Sequence, residues 1–162
     1  MNMKVMRLAG CLCAASVSLW AWSLVLPVGF MSDHVTWRGS TPLRGSWYLM
    51  AGAVFCWVYN WAWLANPLTA VAVILFLCRF YQAAAIVSCA ALAIAQMSWF
   101  CFWIGAPLDE AGFNYAYLTK SSTGFFVWMA SIALLCAACL LACFQHLLSK
   151  PNNQRALPEE RP

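Results

Sequence analysis

The chain of 162 residues is short of charge. Asp, Glu, Lys and Arg make up only 9% of it, and 64% is hydrophobic. A water-soluble domain carries about 25% charged and about 45–50% apolar residues. A soluble fold of this length cannot hide so much apolar surface, whereas a lipid bilayer covers it. Acidic residues are scarcest: they are Asp33, Asp109, Glu110, Glu159 and Glu160, and none lies inside a long apolar run. That argues against proton-driven cation transport through an intramembrane carboxylate. There is no phosphate-cradling glycine loop, no His-Glu-x-x-His and no Gly-x-Ser-x-Gly, so the chemistries those spacings serve have no signature here. The nine basic residues never cluster beyond two, and nucleic-acid binding needs a water-accessible basic patch. No polar loop contains a cysteine. All nine cysteines lie in apolar stretches, where they read as small buried hydrophobes and not as a disulfide framework. Disulfide-generating membrane enzymes also have four helices, but they need a cysteine pair in an outer loop.

What the chain has is long uncharged runs. A membrane span needs about 20 apolar residues, because the hydrocarbon core is about 30 Å thick and a helix rises about 1.5 Å per residue. Four runs qualify: 8–32, 45–78, 80–108 and 121–149. Lys4 and Arg7 precede the first, which resembles a signal peptide at its start. Its 23 apolar residues, 8–30, end in Leu26-Pro27-Val28-Gly29-Phe30, longer than a signal's apolar region and without a small-x-small site, so an uncleaved span is expected. Leu8-Ala9-Gly10-Cys11 has the letters of a bacterial lipobox, but it precedes the apolar stretch instead of following it.

The second run has 34 residues, about 51 Å as a straight helix, too long for one upright span and too short for two. Asn66-Pro67 falls inside it. Proline removes a backbone donor, clashes with the preceding turn and disfavours helical geometry at the residue before it. A helix, a kink or break at 65–67 and a second short helix ending at Arg79 are expected. Counting basic residues separates four spans from five. With four, Lys4, Arg7, Arg79, Lys150, Arg155 and Arg161 lie inside against Arg38, Arg44 and Lys120 outside. With five, Arg79 enters the membrane, at a cost of at least ~2.5 kcal/mol, and the basic excess moves outside. Cytoplasmic loops favour Lys and Arg, so four spans with both termini cytoplasmic are expected. Trp37, Trp47, Trp99, Trp103 and Trp128 fall where interfacial aromatic belts form. Trp57, Trp61 and Trp63 lie in the broken segment instead.

Candidate sites are few. Asn60, Trp63 and Asn66 surround the expected break, and breaks of this kind form binding sites in transporters. The alternative is interhelical hydrogen bonding with a simple kink. Cys136, Cys139 and Cys143 share one face of the last helix, with His146 a turn beyond. Three thiolates can hold a soft metal, yet Ala133, Ala137 and Ala142 share the segment, and a small-residue packing face is the simpler reading. Ala84, Ser88, Ala91 and Ala95 form a second small-residue stripe, with Gln96 and Ser98 close by. Asp33, His34, Asp109 and Glu110 collect at the outer face, where they make a metal or proton-transfer site only if two loops meet.

Trp47 to Leu68, WYLMAGAVFCWVYNWAWLANPL, resembles a segment of small uncharacterised bacterial membrane proteins in which a Gly/Trp-rich helix runs into Ala-Asn-Pro-Leu. The stretch 123–131, TGFFVWMAS, is similar to the entry of their last helix. That resemblance implies a multi-pass membrane protein and carries no activity. Tyr59-Asn60-Trp61-Ala62-Trp63 is also similar to the tryptophan-rich sensory proteins that bind porphyrins and sterols. Those have five helices and a Lys-Pro-x-Trp-x-Pro-Pro signature that this chain lacks.

The combined expectation is an all-α membrane protein of the bacterial inner membrane: a four-helix transmembrane bundle with spans at about 8–30, 47–78 with a break at 65–67, 82–104 and 124–148. Residues 150–162 form a polar tail expected to be disordered. The expected role is structural, accessory or interaction-based, with the lipid bilayer and another membrane protein as partners and with no cofactor, metal or catalytic residue. The alternative is a small-molecule binding or transport module at Asn60, Trp63 and Asn66.

Overall fold

The computed structural model describes residues 2–33, 41–46, 49–50, 61–102, 106–107 and 115–149. Among them are four long helices: α1 (Met3–Ser23), α2 (Ala65–Leu77), α3 (Tyr81–Gln96) and α4 (Thr123–Leu148). Short 3-10 segments, Trp61–Leu64 and Met97–Phe102, extend α2 at its start and α3 at its end. Three helical stretches are long and apolar enough to cross a membrane: Met3–Ser23, Tyr81–Trp99 and Thr123–Leu148. Trp61–Leu77 is shorter.

The first helix differs from the expected span at 8–30. It begins at Met3, where the Asn2 side chain caps it by accepting from the Lys4 N–H at 3.0 Å. It ends at Ser23, and residues 27–33 of the same apolar run form a strand. The cause is Pro27, which has no N–H to give a helix and pushes Leu26 out of helical geometry. The helix recovers its length upstream by taking in Lys4 and Arg7.

The second segment departs from regular α geometry close to where it was expected to. Its 3-10 turn gives way to α-helix at Ala65, so Asn66 and Pro67 are the second and third residues of α2. Proline is tolerated in a first turn, where helical N–H groups lack partners anyway. The upstream arm of the expected broken helix, with Trp57 and Asn60, lies outside the described residues.

The turn between α2 and α3 closes by two backbone bonds, Arg79 N–H to Phe76 O (3.0 Å) and Phe80 N–H to Leu75 O (2.9 Å). This is a Schellman motif, whose C′ residue takes a left-handed conformation and is usually glycine. Here it is Arg79, with φ 64°.

The sequence reading contained no sheet, and the structure corrects it. Four strands, β1 (Pro27–Asp33), β2 (Thr41–Arg44), β3 (Ala106–Pro107) and β4 (Tyr115–Ser121), pair antiparallel in the order β2-β1-β4-β3. β1 and β2 come from the connection after α1, β3 and β4 from the connection before α4. The physical reason is backbone hydrogen bonding: two connections too long for tight turns satisfy each other's N–H and C=O groups.

The helices alternate in direction. Tyr81, at the α2–α3 turn, packs against His146 near the end of α4 (ring centroids 5.9 Å) and against Phe76 (5.7 Å). Ala9, near the start of α1, joins the same buried cluster. The start of α1, the α2–α3 turn and the end of α4 therefore share one end of the bundle, and the sheet lies at the other. α1 packs most extensively on α4, and α3 on α2 and α4. The seams are made of small residues: Ala9, Ala72, Ala84, Ala91, Ala95, Ala138 and Ala142 are wholly buried, as are Ser16, Ser88 and Ser131. Small side chains let backbones approach closely, which is how helices gain dispersion energy where lipid removes the hydrophobic drive.

Candidate functional site

The described polar groups inside the bundle converge on Asn66. Its Oδ1 accepts from two indoles on different helices, Trp20 Nε1 of α1 at 3.1 Å and Trp128 Nε1 of α4 at 2.9 Å. One amide oxygen has two lone pairs, so both are used, and three helices meet on one atom. All three side chains are half-buried. Asn66 was expected to meet the Trp63 carbonyl freed by Pro67; its side-chain bonds among the described residues go to the two indoles instead. Position explains this. At the second residue of α2 the side chain points across the bundle, and the indoles, which are donors only, need an acceptor there.

Neighbouring hydroxyls extend the network along the same seam. Ser16 Oγ donates to Ser131 O at 2.7 Å, joining α1 to α4, and Ser131 Oγ donates to Trp128 O at 2.6 Å. Ser23 Oγ donates to Trp20 O, and Thr69 Oγ1 to Ala65 O, each at 2.6 Å. Aromatic rings close the sheet-facing end: Phe125 lies edge-on to Trp99 (5.0 Å) and tilted against Trp128 (6.2 Å). Trp128, placed by sequence in an interfacial belt, thus turns inward to Asn66.

The other candidate residues separate. Trp63 Nε1 donates to Leu49 O at 2.8 Å, away from Asn66. Asn60 lies outside the described residues. Trp61 stands more than half exposed. The stripe Ala84, Ser88, Ala91 and Ala95 is wholly buried, which makes it a packing face, and Ser98 is buried while Gln96 is exposed. On α4, Cys136 and Cys139 are buried with Ala142 and Cys143 is half-buried, while Ala133 and Ala137 face outward. The buried face therefore consists of Ile132, Leu135, Cys136, Ala138, Cys139 and Ala142. Among the described residues, no three metal-ligating side chains converge.

The two outer connections do meet. Asp33 of β1 pairs with Ala116 of β4, which pairs with Ala106 of β3, so the Asp33 and Ala106 backbones lie about two strand spacings, ~10 Å, apart. His34, Asp109 and Glu110 lie outside the described residues. Sequence reasoning missed Trp20. The signal available was an uncharged Asn in an apolar run, which needs donors that only Trp, Ser or Thr of other spans supply.

An open groove of about 570 Å³ runs beside the Asn66 node, lined by Leu19, Ser121, Ser122, Thr123, Phe126 and Val127. The node itself holds an amide and two indoles, neutral groups with no acid, base or nucleophile among them. It can bind and position; it cannot transfer a proton or attack. Comparison with known protein families, with curated proteins and with solved structures finds no match for this chain.

Proposed function

We propose that this chain is a multi-pass protein of the bacterial inner membrane, with four spans and the α2–α3 turn on the cytoplasmic side. In this reading it works as a structural or accessory subunit that presents its helix faces and sheet to another membrane protein. The observation that carries the role is the Asn66 node. Its oxygen is saturated from within by Trp20 and Trp128, which makes it a tie between helices and leaves its carbonyl with nothing to offer a substrate. The bundle surface supports the membrane placement. Ile74, Leu77, Ile86, Phe144 and Leu148 are all more than half exposed, and a soluble monomer rarely displays such an apolar belt. Trp61–Leu77 has 17 residues, the short end of what crosses a bilayer.

Purification from native membranes in mild detergent tests the role. Co-migration with a larger membrane protein is the expected result, and a lone monomer in every mild detergent overturns it. The binding or transport reading keeps one supporting observation: among the described residues, the Asn66 amide nitrogen donates to nothing and its side chain is only half-buried. In a background free of other cysteines, Asn66→Cys reacting with a water-soluble maleimide from either side of the membrane would favour that reading over the structural one.

A further inference from the structure

Halfway along the bundle two thiols from different helices touch. Cys89 Sγ of α3 lies 3.5 Å from Cys136 Sγ of α4. Cys89 is exposed on the outer surface of the bundle, and Cys136 is buried behind it. Ser88 and Cys139, both wholly buried, are neighbours of Cys136, and Cys13 of α1 lies beside Cys139. The pair is thus the outward end of a row of sulfurs that crosses three helices. Close packing of small residues brings α3 and α4 together here, since Ala84, Ala85, Leu135, Ala138 and Cys139 share one buried cluster. A disulfide needs the sulfurs at about 2.05 Å, so closing this pair takes about 1.5 Å of side-chain motion and no rearrangement of the helices.

We propose that Cys89 and Cys136 form an oxidisable dithiol, whose disulfide staples α3 to α4 and whose oxidant is a lipid-soluble quinone. This rests on the membrane reading, which places Cys89 among acyl chains, about 12 Å along the helix from Tyr81 at 1.5 Å per residue. The chemistry follows from that depth. Both S–H bonds break and one S–S bond forms; the two electrons and two protons pass to the quinone oxygens, giving the hydroquinone. Neutral reactants give neutral products. A route that leaves a net charge behind carries a large desolvation penalty in hydrocarbon. Cys89 meets the oxidant, and Cys136, already in contact and shielded from lipid, completes the bond. The link would fix the α3–α4 seam while leaving α1 and the Asn66 node untouched.

The test uses the full chain in phosphatidylcholine vesicles, first floated to establish insertion and then treated with decyl-benzoquinone. The expected result is loss of two free thiols per chain and a Cys89–Cys136 linked peptide by mass spectrometry without reductant. Both revert with a thiol reductant. Cys89→Ala and Cys136→Ala each abolish the thiol loss, while Cys139→Ala retains it. Peptide mapping of the unaltered chain reads the linkage directly, so the result stands even if a variant folds poorly. Floated protein that keeps all its thiols overturns the proposal alone, as does a link that joins Cys136 to Cys139. Protein that fails to float removes the membrane reading and the proposal with it.

Discussion

Replacing Asn66 by leucine would strip the acceptor from two indole N–H groups at once, Trp20 Nε1 and Trp128 Nε1. Each left-over donor is half-buried and far from bulk water if the bundle spans a membrane. A membrane hydrogen bond contributes about 0.6 kcal/mol on average, and an orphaned buried donor costs about 1–3 kcal/mol. Asn66→Leu is expected to destabilise the protein by roughly 1–3 kcal/mol, measured by unfolding in a denaturing-detergent titration. Trp20→Phe and Trp128→Phe, which each remove one donor and leave the oxygen its other partner, are expected to cost less. Equal losses for all three would mean that the contacts are incidental. Asn60→Leu is expected to cost less than Asn66→Leu. The sequence pointed to Asn66 through Pro67, which was the wrong neighbour: the residues that matter to it lie 46 positions before and 62 after.

At the scale of elements, two glycines and one arginine make the argument. A Cβ at Gly124 would meet Pro27 O at 2.7 Å and its carbonyl carbon at 3.0 Å, so the start of α4 is pressed against β1. Gly10 on α1 has nothing within 4 Å of that position. Gly124→Ala must push backbone against backbone, an overpacking cost of about 1–3 kcal/mol. Gly10→Ala, in mid-helix with open space, is expected to gain about 0.5–1 kcal/mol from helix propensity. Thermal unfolding of the two variants should therefore shift in opposite directions. Arg79 holds the left-handed position of a Schellman turn, a conformation that costs a non-glycine residue roughly 1–2 kcal/mol. Arg79→Gly is expected to raise stability by about 1 kcal/mol in the same assay; no gain would show that the arginine side chain offsets its own backbone strain. Its charge gives a reason to keep it there. It supplies one of the six basic residues assigned to the inner side, so the turn favours topology over ideal geometry.

Across the whole molecule, the start of α1, the α2–α3 turn and the end of α4 gather at one end, and all four strands at the other. The basic residues follow this division among the described positions: Lys4, Arg7 and Arg79 on the first end, Arg44 and Lys120 on the second. A phosphatase fused after Lys150 should be silent and a cytoplasmic fluorescent reporter there bright. A phosphatase inserted between β3 and β4 should be active. An active phosphatase at Lys150 would reverse the proposed orientation while leaving the bundle intact.

Composition and periodicity determined much of this. Scarce charge and long apolar runs led to a helical bundle, and the stripe Ala84, Ser88, Ala91 and Ala95 was legible as a packing face because helical spacing alone puts those residues on one side. The start of α4 was legible too, within a residue of where the structure has it. Three things were decided only by the tertiary structure. The run after Ser23 became a strand because β4 was there to pair with it, and strand pairing is non-local by nature. Asn66 found its partners on helices far away in sequence, a juxtaposition that no local pattern encodes. Cys89 and Cys136 belong to different faces of different helices, and only the close approach of α3 and α4 brings their sulfurs into contact. Sequence fixes which side a residue takes on its own helix; which residue faces it across the seam depends on how the helices pack.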